Sequence, residues 1–117
     1  MTAAISKRIG FIGAGRMAQA LASGFVRGGL LAPQNIFAAD PSPDSTQAFQ
    51  AAVPGAKVAE GNQQVLTGAD IVFLAVKPQY LEAVADQLNT SNFSGAFVSI
   101  VAGVPITRLS VLLACDR

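Results

Sequence analysis

The most restrictive feature of the sequence is IGFIGAGRMAQAL, residues 9–21, in which an apolar run ends at a glycine cluster and a helical pattern follows at once. Such a run predicts a buried strand that turns directly into a helix. A turn of this kind aims the free N–H groups and the dipole of the helix at one point, where they favour an anion. The stretch therefore predicts a strand, a tight glycine turn and an anion site at the helix N-terminus.

The same alternation of short apolar runs and helical patterns continues along the chain. Strands are predicted over residues 8–12, 35–40, 56–60, 70–76 and 96–102. Helices are predicted over residues 16–28, where Met17, Leu21 and Phe25 have helical spacing, and over 41–53, 62–69, 78–88 and 105–114. Strands alternating with helices favour an α/β fold with a doubly wound parallel sheet. The expected strand order is 3-2-1-4-5, with a ligand crevice between strands 1 and 4.

Composition limits the class of protein. The 117 residues suit one domain, 1–117, and 51% apolar with 13% charged residues suits a sheet covered on both faces. A formal net charge of +1 gives no reason to expect a nucleic acid or a membrane surface as partner. The single cysteine, Cys115, excludes a disulfide within the chain and fits a cytoplasmic location, and the lack of histidine argues against a transition-metal site. No leader or membrane-spanning segment is expected.

The glycine turn has the form Gly-x-Gly-x-x-Ala, a variant of the dinucleotide fingerprint. Gly13 permits the tight turn, Gly15 lets a pyrophosphate approach the backbone, and Ala18 allows the helix to pack close to the strand. Asp40 ends the second strand, 22 residues after Ala18, near the separation expected for a ribose-binding acid. The alternative is that the glycines only make a turn.

Asp40 bears on the choice of cofactor. A carboxylate at this position would bond the ribose hydroxyls of NAD and repel the 2′-phosphate of NADP. Ser42 and Ser45 could instead donate to a phosphate. These residues by themselves therefore favour NAD as the cofactor without excluding NADP. Asp40 could also be an ordinary turn or cap residue before Pro41.

Two further motifs lie at the ends of predicted strands. Ala75, Val76, Lys77 and Pro78 form a loop after strand 4, where small residues leave room for a nicotinamide ribose. Strand 5 ends in Ala102-Gly103 on the same edge. Lys77 could equally be a plain surface lysine, and Gly103 a turn glycine before a proline-started helix.

Together, IGFIGAGRMAQAL, LAVKPQ and VSIVAGVPITRL resemble, in order and spacing, the N-terminal domain of pyrroline-5-carboxylate reductase, a Rossmann-type domain. The resemblance runs from Lys7 to the end of the chain. It implies reduction of the cyclic imine 1-pyrroline-5-carboxylate to proline with NAD(P)H. Where this chain has Asp40, the family often has serine or threonine and prefers NADPH, so NADPH is the first expectation and NADH the second.

The resemblance also implies a set of cofactor contacts. Ile12, Gly13, Ala14, Gly15, Arg16 and Met17 would hold the pyrophosphate, and Asp40 would lie at the adenosine ribose. Asn62 matches a cofactor-contacting position, and the nicotinamide side would be lined by Ala75, Val76, Lys77, Pro78, Val101, Ala102 and Gly103.

The family's second, helical domain is not in this sequence. The chain is thus expected to bind dinucleotide weakly and to reduce little imine by itself, with a homo-oligomer as a further expectation. No catalytic residue is assigned. The chain lacks histidine, and its single tyrosine, Tyr80, is interpreted as a half-buried amphipathic side chain rather than as a general acid. The alternatives are the cofactor domain of another imine or β-hydroxyacid reductase, and a non-catalytic dinucleotide-binding module. A methyltransferase is disfavoured by the AVKP loop.

Overall fold

The computed structural model describes residues 7–90 and 93–100. Its strands are β1 (Ile9–Ile12), β2 (Ile36–Ala39), β3 (Lys57–Val58), β4 (Ile71–Leu74) and β5 (Ala96–Ser99). Its helices are α1 (Arg16–Arg27), α2 (Pro43–Ala52), α3 (Asn62–Gly68) and α4 (Leu81–Asp86), with 3₁₀ turns at Pro33–Asn35 and Pro78–Tyr80. Strand and helix alternate as the sequence pattern predicts.

The strands form one parallel sheet in the order β3-β2-β1-β4-β5, which confirms the predicted order. β1 is central and pairs over its whole length with β2 on one side and β4 on the other, so that Ile12 lies level with Ala39 and Leu74. The chain thus winds outward first in one direction and then in the other. The change of direction falls beside β1, and ligands of such sheets bind at the carboxyl end of this position.

The sheet has a packed core on each face. On one face Phe11, which is fully buried, stacks on Phe73 at a centroid distance of 5.0 Å and tilts against Phe49 of α2 at 5.7 Å. On the other face Ile12 and Leu74 pack with residues of α3 and α4. Because helices cover both faces, the doubly wound architecture predicted from the apolar runs is confirmed.

Helix α1 packs against the sheet through its alanine side chains. Ala18 and Ala22 are fully buried, while Leu21 and Phe25 are partly buried and Met17 is 60% exposed. The small side chains let the helix approach the sheet closely, as the alanine of the fingerprint requires. The helical spacing of the larger residues therefore predicts the helix but not its buried face.

Several predicted element bounds differ from the structure or fall outside the described residues. The helix expected over 78–88 is divided, because Pro78 begins a 3₁₀ turn and α4 follows only from Leu81 to Asp86. The strand predicted over 70–76 ends at Leu74, where the parallel ladder with β1 stops. The helix predicted over 105–114 lies outside the described residues, as does the end of the fifth strand.

The longest helix among residues 7–90 and 93–100 is α1, with 12 residues. No helix in these ranges has the length and apolar character needed to cross a membrane. The same ranges hold no group of three or more acidic, cysteine or histidine side chains that could bind a metal ion.

Candidate functional site

The turn between β1 and α1 is held by backbone contacts to both neighbouring strands. The N–H of Gly13 donates to the carbonyl of Ala39 at 2.9 Å, and the N–H of Ala75 donates to the carbonyl of Ile12 at 2.8 Å. Gly13 has φ of +102°, and a Cβ built there would lie 2.6 Å from the Ala75 carbonyl oxygen. Glycine is required here both by conformation and by packing.

Gly15 differs from Gly13 in both respects. It is the N-cap residue of α1 with φ of −76° and ψ of −168°, a conformation open to any residue. Apart from Gly15 itself and its two chain neighbours, no atom of the described residues lies within 4 Å of the position where its Cβ would be. Neither the fold nor the packing of these residues explains the glycine, whereas the close approach of a ligand to this backbone does. The site thus fits a dinucleotide pyrophosphate.

The first turn of α1 adds to the anion-binding character of the turn. The N-cap residue provides no side-chain hydrogen bond and the first turn holds no acidic residue. The first four N–H groups of a helix have no partner within it, and they carry the positive end of the helix dipole. Arg16, the first residue of α1, is exposed and forms no ion pair in the described part of the chain, where Arg8 and Asp70 form the one ion pair.

Asp40 joins the two turns at this edge of the sheet. Its Oδ2 accepts a hydrogen bond from the Ala14 N–H at 2.9 Å, and its Oδ1 accepts one from the Ser42 N–H at 2.9 Å. Ser42 in turn caps α2, since its hydroxyl accepts from the Ser45 N–H at 3.4 Å. The half-buried carboxylate of Asp40 is therefore fixed between the β1–α1 turn and the β2–α2 turn.

The loop after β4 lies at the same edge. Ala75 contacts the glycine turn through the hydrogen bond to Ile12, and partly buried Val76 packs against the core. Lys77 and Pro78 are exposed where the 3₁₀ turn begins. The structure therefore brings residues 12–17, Asp40 and residues 75–78 to one edge of the sheet.

The remaining predicted residues are not joined to this cluster by the described contacts. The Nδ2 of Asn62, at the start of α3, donates to the Oε1 of Gln87 at 2.8 Å. Val101, Ala102 and Gly103 lie outside the described residues; β5 ends at Ser99, and the Ile100 N–H donates to the Leu74 carbonyl at 3.0 Å. Sequence patterns miss the Asn62–Gln87 contact because it joins two polar residues on different elements.

A parallel doubly wound sheet with an open glycine turn at its switch point defines the class of dinucleotide-binding α/β domains. Residues 8–103 match the model of a family described as NADP oxidoreductase, coenzyme F420-dependent, and the chain belongs to that family.

Its relatives agree with the resemblance seen in the sequence. The chain is 39% identical over 114 residues to the pyrroline-5-carboxylate reductase of Escherichia coli, an alignment that covers 97% of this chain and 42% of that protein. The solved pyrroline-5-carboxylate reductase of Coxiella burnetii is 28% identical with a TM-score of 0.81, covering 93% of this chain and 40% of that one. The Plasmodium falciparum enzyme, solved with NADP bound, is 25% identical with a TM-score of 0.79, covering 95% and 39%. The chain thus spans about two fifths of the length of these relatives, at their N-terminal part.

Proposed function

We propose that residues 1–117 form the cofactor-binding domain of a pyrroline-5-carboxylate reductase, with NADPH as first cofactor and NADH as second. The open backbone face at Gly15 carries the proposal, because no described contact of the fold requires a glycine there. The NADP bound to the Plasmodium falciparum relative supports the order of the two cofactors.

The proposed contacts follow the edge of the sheet. Residues 12–17 hold the pyrophosphate, Asp40 faces the adenosine ribose and residues 75–78 line the nicotinamide side. Asn62 and residues 101–103 are included on the resemblance alone. For Asn62 to reach the cofactor, its amide has to leave or share the hydrogen bond to Gln87.

The proposed chemistry is transfer of a hydride to the carbon of a cyclic imine, and the bound dinucleotide supplies that hydride from C4 of its nicotinamide. What this chain contributes is position. The backbone of the glycine turn fixes the pyrophosphate, and the small residues Ala75 and Val76 leave space beside it for the ring. No residue of the chain is assigned as proton donor to the imine nitrogen.

The setting of the domain is part of the proposal. The proposed substrate is a small imine, and the rest of its pocket is assigned to a part of the enzyme that corresponds to the portion of the relatives outside the alignment with this chain. A homo-oligomer and a cytoplasmic location complete the proposal; the single cysteine supports the location.

Calorimetric titration of the folded 117-residue chain with NADPH and with NADH tests the proposal. Binding to the wild-type chain is expected, and Gly15→Ala is expected to weaken it at least about tenfold because the added Cβ occupies the open face. Gly24→Ala is the matched control: it makes the same change within α1, and beyond the neighbouring residues and backbone of the helix itself no atom lies within 4 Å of the new Cβ, but the site is far from the turn.

The titration distinguishes the proposal from its alternatives. A folded wild-type chain that binds neither dinucleotide, or equal binding by both glycine variants, contradicts the proposed site. Following NADPH oxidation with the imine present tests the expected dependence on the rest of the enzyme, since substantial turnover by this chain alone would refute it.

A further inference from the structure

Helix α1 carries a line of apolar side chains that the core takes up only in part. Met17, Leu21 and Phe25 are four residues apart and therefore lie along one side of the helix. Ala18 and Ala22 make the contact with the sheet and are fully buried, whereas Met17 is 60% exposed and the other two are partly buried. This side of α1 thus keeps apolar surface that the fold does not cover.

The line continues from the helix onto the sheet through Phe25. The ring of Phe25 tilts against the ring of Phe73 on β4, at a centroid distance of 5.7 Å. Val98 of β5 lies level with Phe73 in the parallel register, and paired residues point to the same face of a sheet. Val98 is 39% exposed. Phe73 therefore joins the side of α1 to an exposed valine on the edge strand.

The two faces of β4 and β5 are covered to different extents. On the face of α3 and α4, Val72 and Leu74 are fully buried and Phe97 packs against the same core cluster. On the face of α1, the core cluster of the described residues reaches partly buried side chains of β4 but includes no residue of β5. Strands of a parallel sheet are ordinarily buried on both faces. The α1 face of β4 and β5 therefore has room for a further helix.

These side chains form one surface, which we call the α1–β5 strip: Leu21 and Phe25 of α1, Phe73 of β4 and Val98 of β5. A twofold axis between two copies places such a surface against itself, so that each copy provides both halves of the contact. A charged surface would repel its own copy, but the strip contains no charged side chain. The formal net charge of +1 also gives little repulsion between two chains.

We propose that the α1–β5 strip is the contact surface between two copies of this chain, with α1 of each copy packed over β4 and β5 of its partner. The proposal gives a surface to the homo-oligomer of the proposed function, and it rests on that part of the function and not on the dinucleotide site. The driving force is burial of the apolar side chains that the fold leaves partly exposed. Because one helix and two strands make a small interface, we expect a dissociation constant of about 1–100 μM.

Sedimentation equilibrium of the folded chain, from about 1 μM to about 1 mM, tests the proposal. The wild-type chain is expected to form dimers in a fraction that rises with concentration. Val98→Lys puts a charge into an apolar contact and is expected to weaken dimerisation at least about tenfold. Val98→Thr keeps a β-branched side chain suited to a strand and is expected to weaken it less. Circular dichroism first shows that each variant is folded, and the threonine variant serves if lysine disturbs the strand.

Val58→Lys is the matched control. Val58 is also 39% exposed, and it lies on β3, the strand at the opposite edge of the sheet. Lysine at either position adds one positive charge, so general repulsion between copies changes by the same amount. Val58→Lys is therefore expected to dimerise as the wild type does.

Three outcomes overturn the proposal. A wild-type chain that stays monomeric over this range does so, and it assigns the strip to a contact with the rest of the longer enzyme. Unchanged dimerisation of Val98→Lys places the contact elsewhere. Equal weakening by Val58→Lys and Val98→Lys makes the added charge alone responsible.

Titration of the same preparations with NADPH and NADH separates this proposal from the cofactor site. A monomeric wild-type chain that binds NADPH overturns the α1–β5 contact and leaves the cofactor site standing. A chain that dimerises through the strip and binds neither dinucleotide supports the contact while the cofactor site fails.

Discussion

Substitution of Gly13 by alanine is expected to damage the fold itself. Gly13 has φ of +102°, and its Cβ would lie 2.6 Å from the Ala75 carbonyl oxygen and 2.8 Å from the carbonyl carbon. Both atoms belong to backbone that is bound to β1, because the Ala75 N–H donates to the Ile12 carbonyl at 2.8 Å. The overlap cannot be relieved by rotating a side chain.

The expected cost follows from two contributions. Placing a residue with a Cβ in the left-handed region costs about 1–2 kcal/mol. Separating the turn from the β4 loop weakens the hydrogen bond from the Ala75 N–H to the carbonyl of fully buried Ile12, and leaving such a group unsatisfied costs about 1–3 kcal/mol. We therefore expect Gly13→Ala to lower the free energy of unfolding by about 3 kcal/mol, a large share of the usual stability of a small domain.

Urea denaturation followed by far-UV circular dichroism measures this loss, since the chain has no tryptophan to report on unfolding. Gly15→Ala is the control, because its φ of −76° and open Cβ position predict a change below about 1 kcal/mol, in either direction. A Gly13→Ala chain as stable as wild type, or a Gly15→Ala chain that loses as much as Gly13→Ala, would refute the reasoning.

Two further predictions concern the core and the anion site. Phe11→Ala removes a fully buried ring that packs on two other rings. In urea denaturation it should lower the free energy of unfolding by about 3–5 kcal/mol. The control is Tyr80→Ala, at a residue that is 56% exposed, which should change the free energy of unfolding by less than about 0.5 kcal/mol. Arg16→Gln should lower the affinity for both NADPH and NADH about tenfold in calorimetry, because it removes a cation beside the proposed pyrophosphate position. The control is Arg27→Gln, at the other end of α1, which should leave both affinities unchanged. Equal effects of the two substitutions would contradict the placement of the pyrophosphate.

The sequence is sufficient to predict the strand order of the sheet. Buried parallel strands have continuous apolar sequences, and the glycine turn identifies the strand before it as the central strand. It predicts the ends of elements less well. Strand β4 stops at Leu74 where its partner β1 stops, a limit set by another part of the chain. The buried face of α1 also depends on its partner, since the sheet accepts Ala18 and Ala22 and leaves Met17 outside.

At the candidate site, too, part of the geometry is predictable from the sequence and part depends on contacts between distant segments. The fingerprint predicts that Gly13 makes the tight turn and that Gly15 leaves the backbone open to a ligand. The geometry at each glycine fits the role predicted for it. The two hydrogen bonds that hold Asp40 do not follow from it, because Asp favours turns whatever its partners are. The bond from Asn62 to Gln87 is likewise invisible in the sequence, since it depends on how α3 and the end of α4 meet in space.

The hydrogen bond between Ala75 and Ile12 has a consequence for how the chain acquires its shape during synthesis. β1 leaves the ribosome early, but one of its two neighbours, β4, is made only after three helices and two other strands have followed. Pairing across so long a loop is slow compared with local helix formation. A nascent chain halted before Ala75 would carry every residue of the glycine turn and the Ala39 carbonyl that binds it, but would still lack the second backbone contact that holds the turn, the one from Ala75.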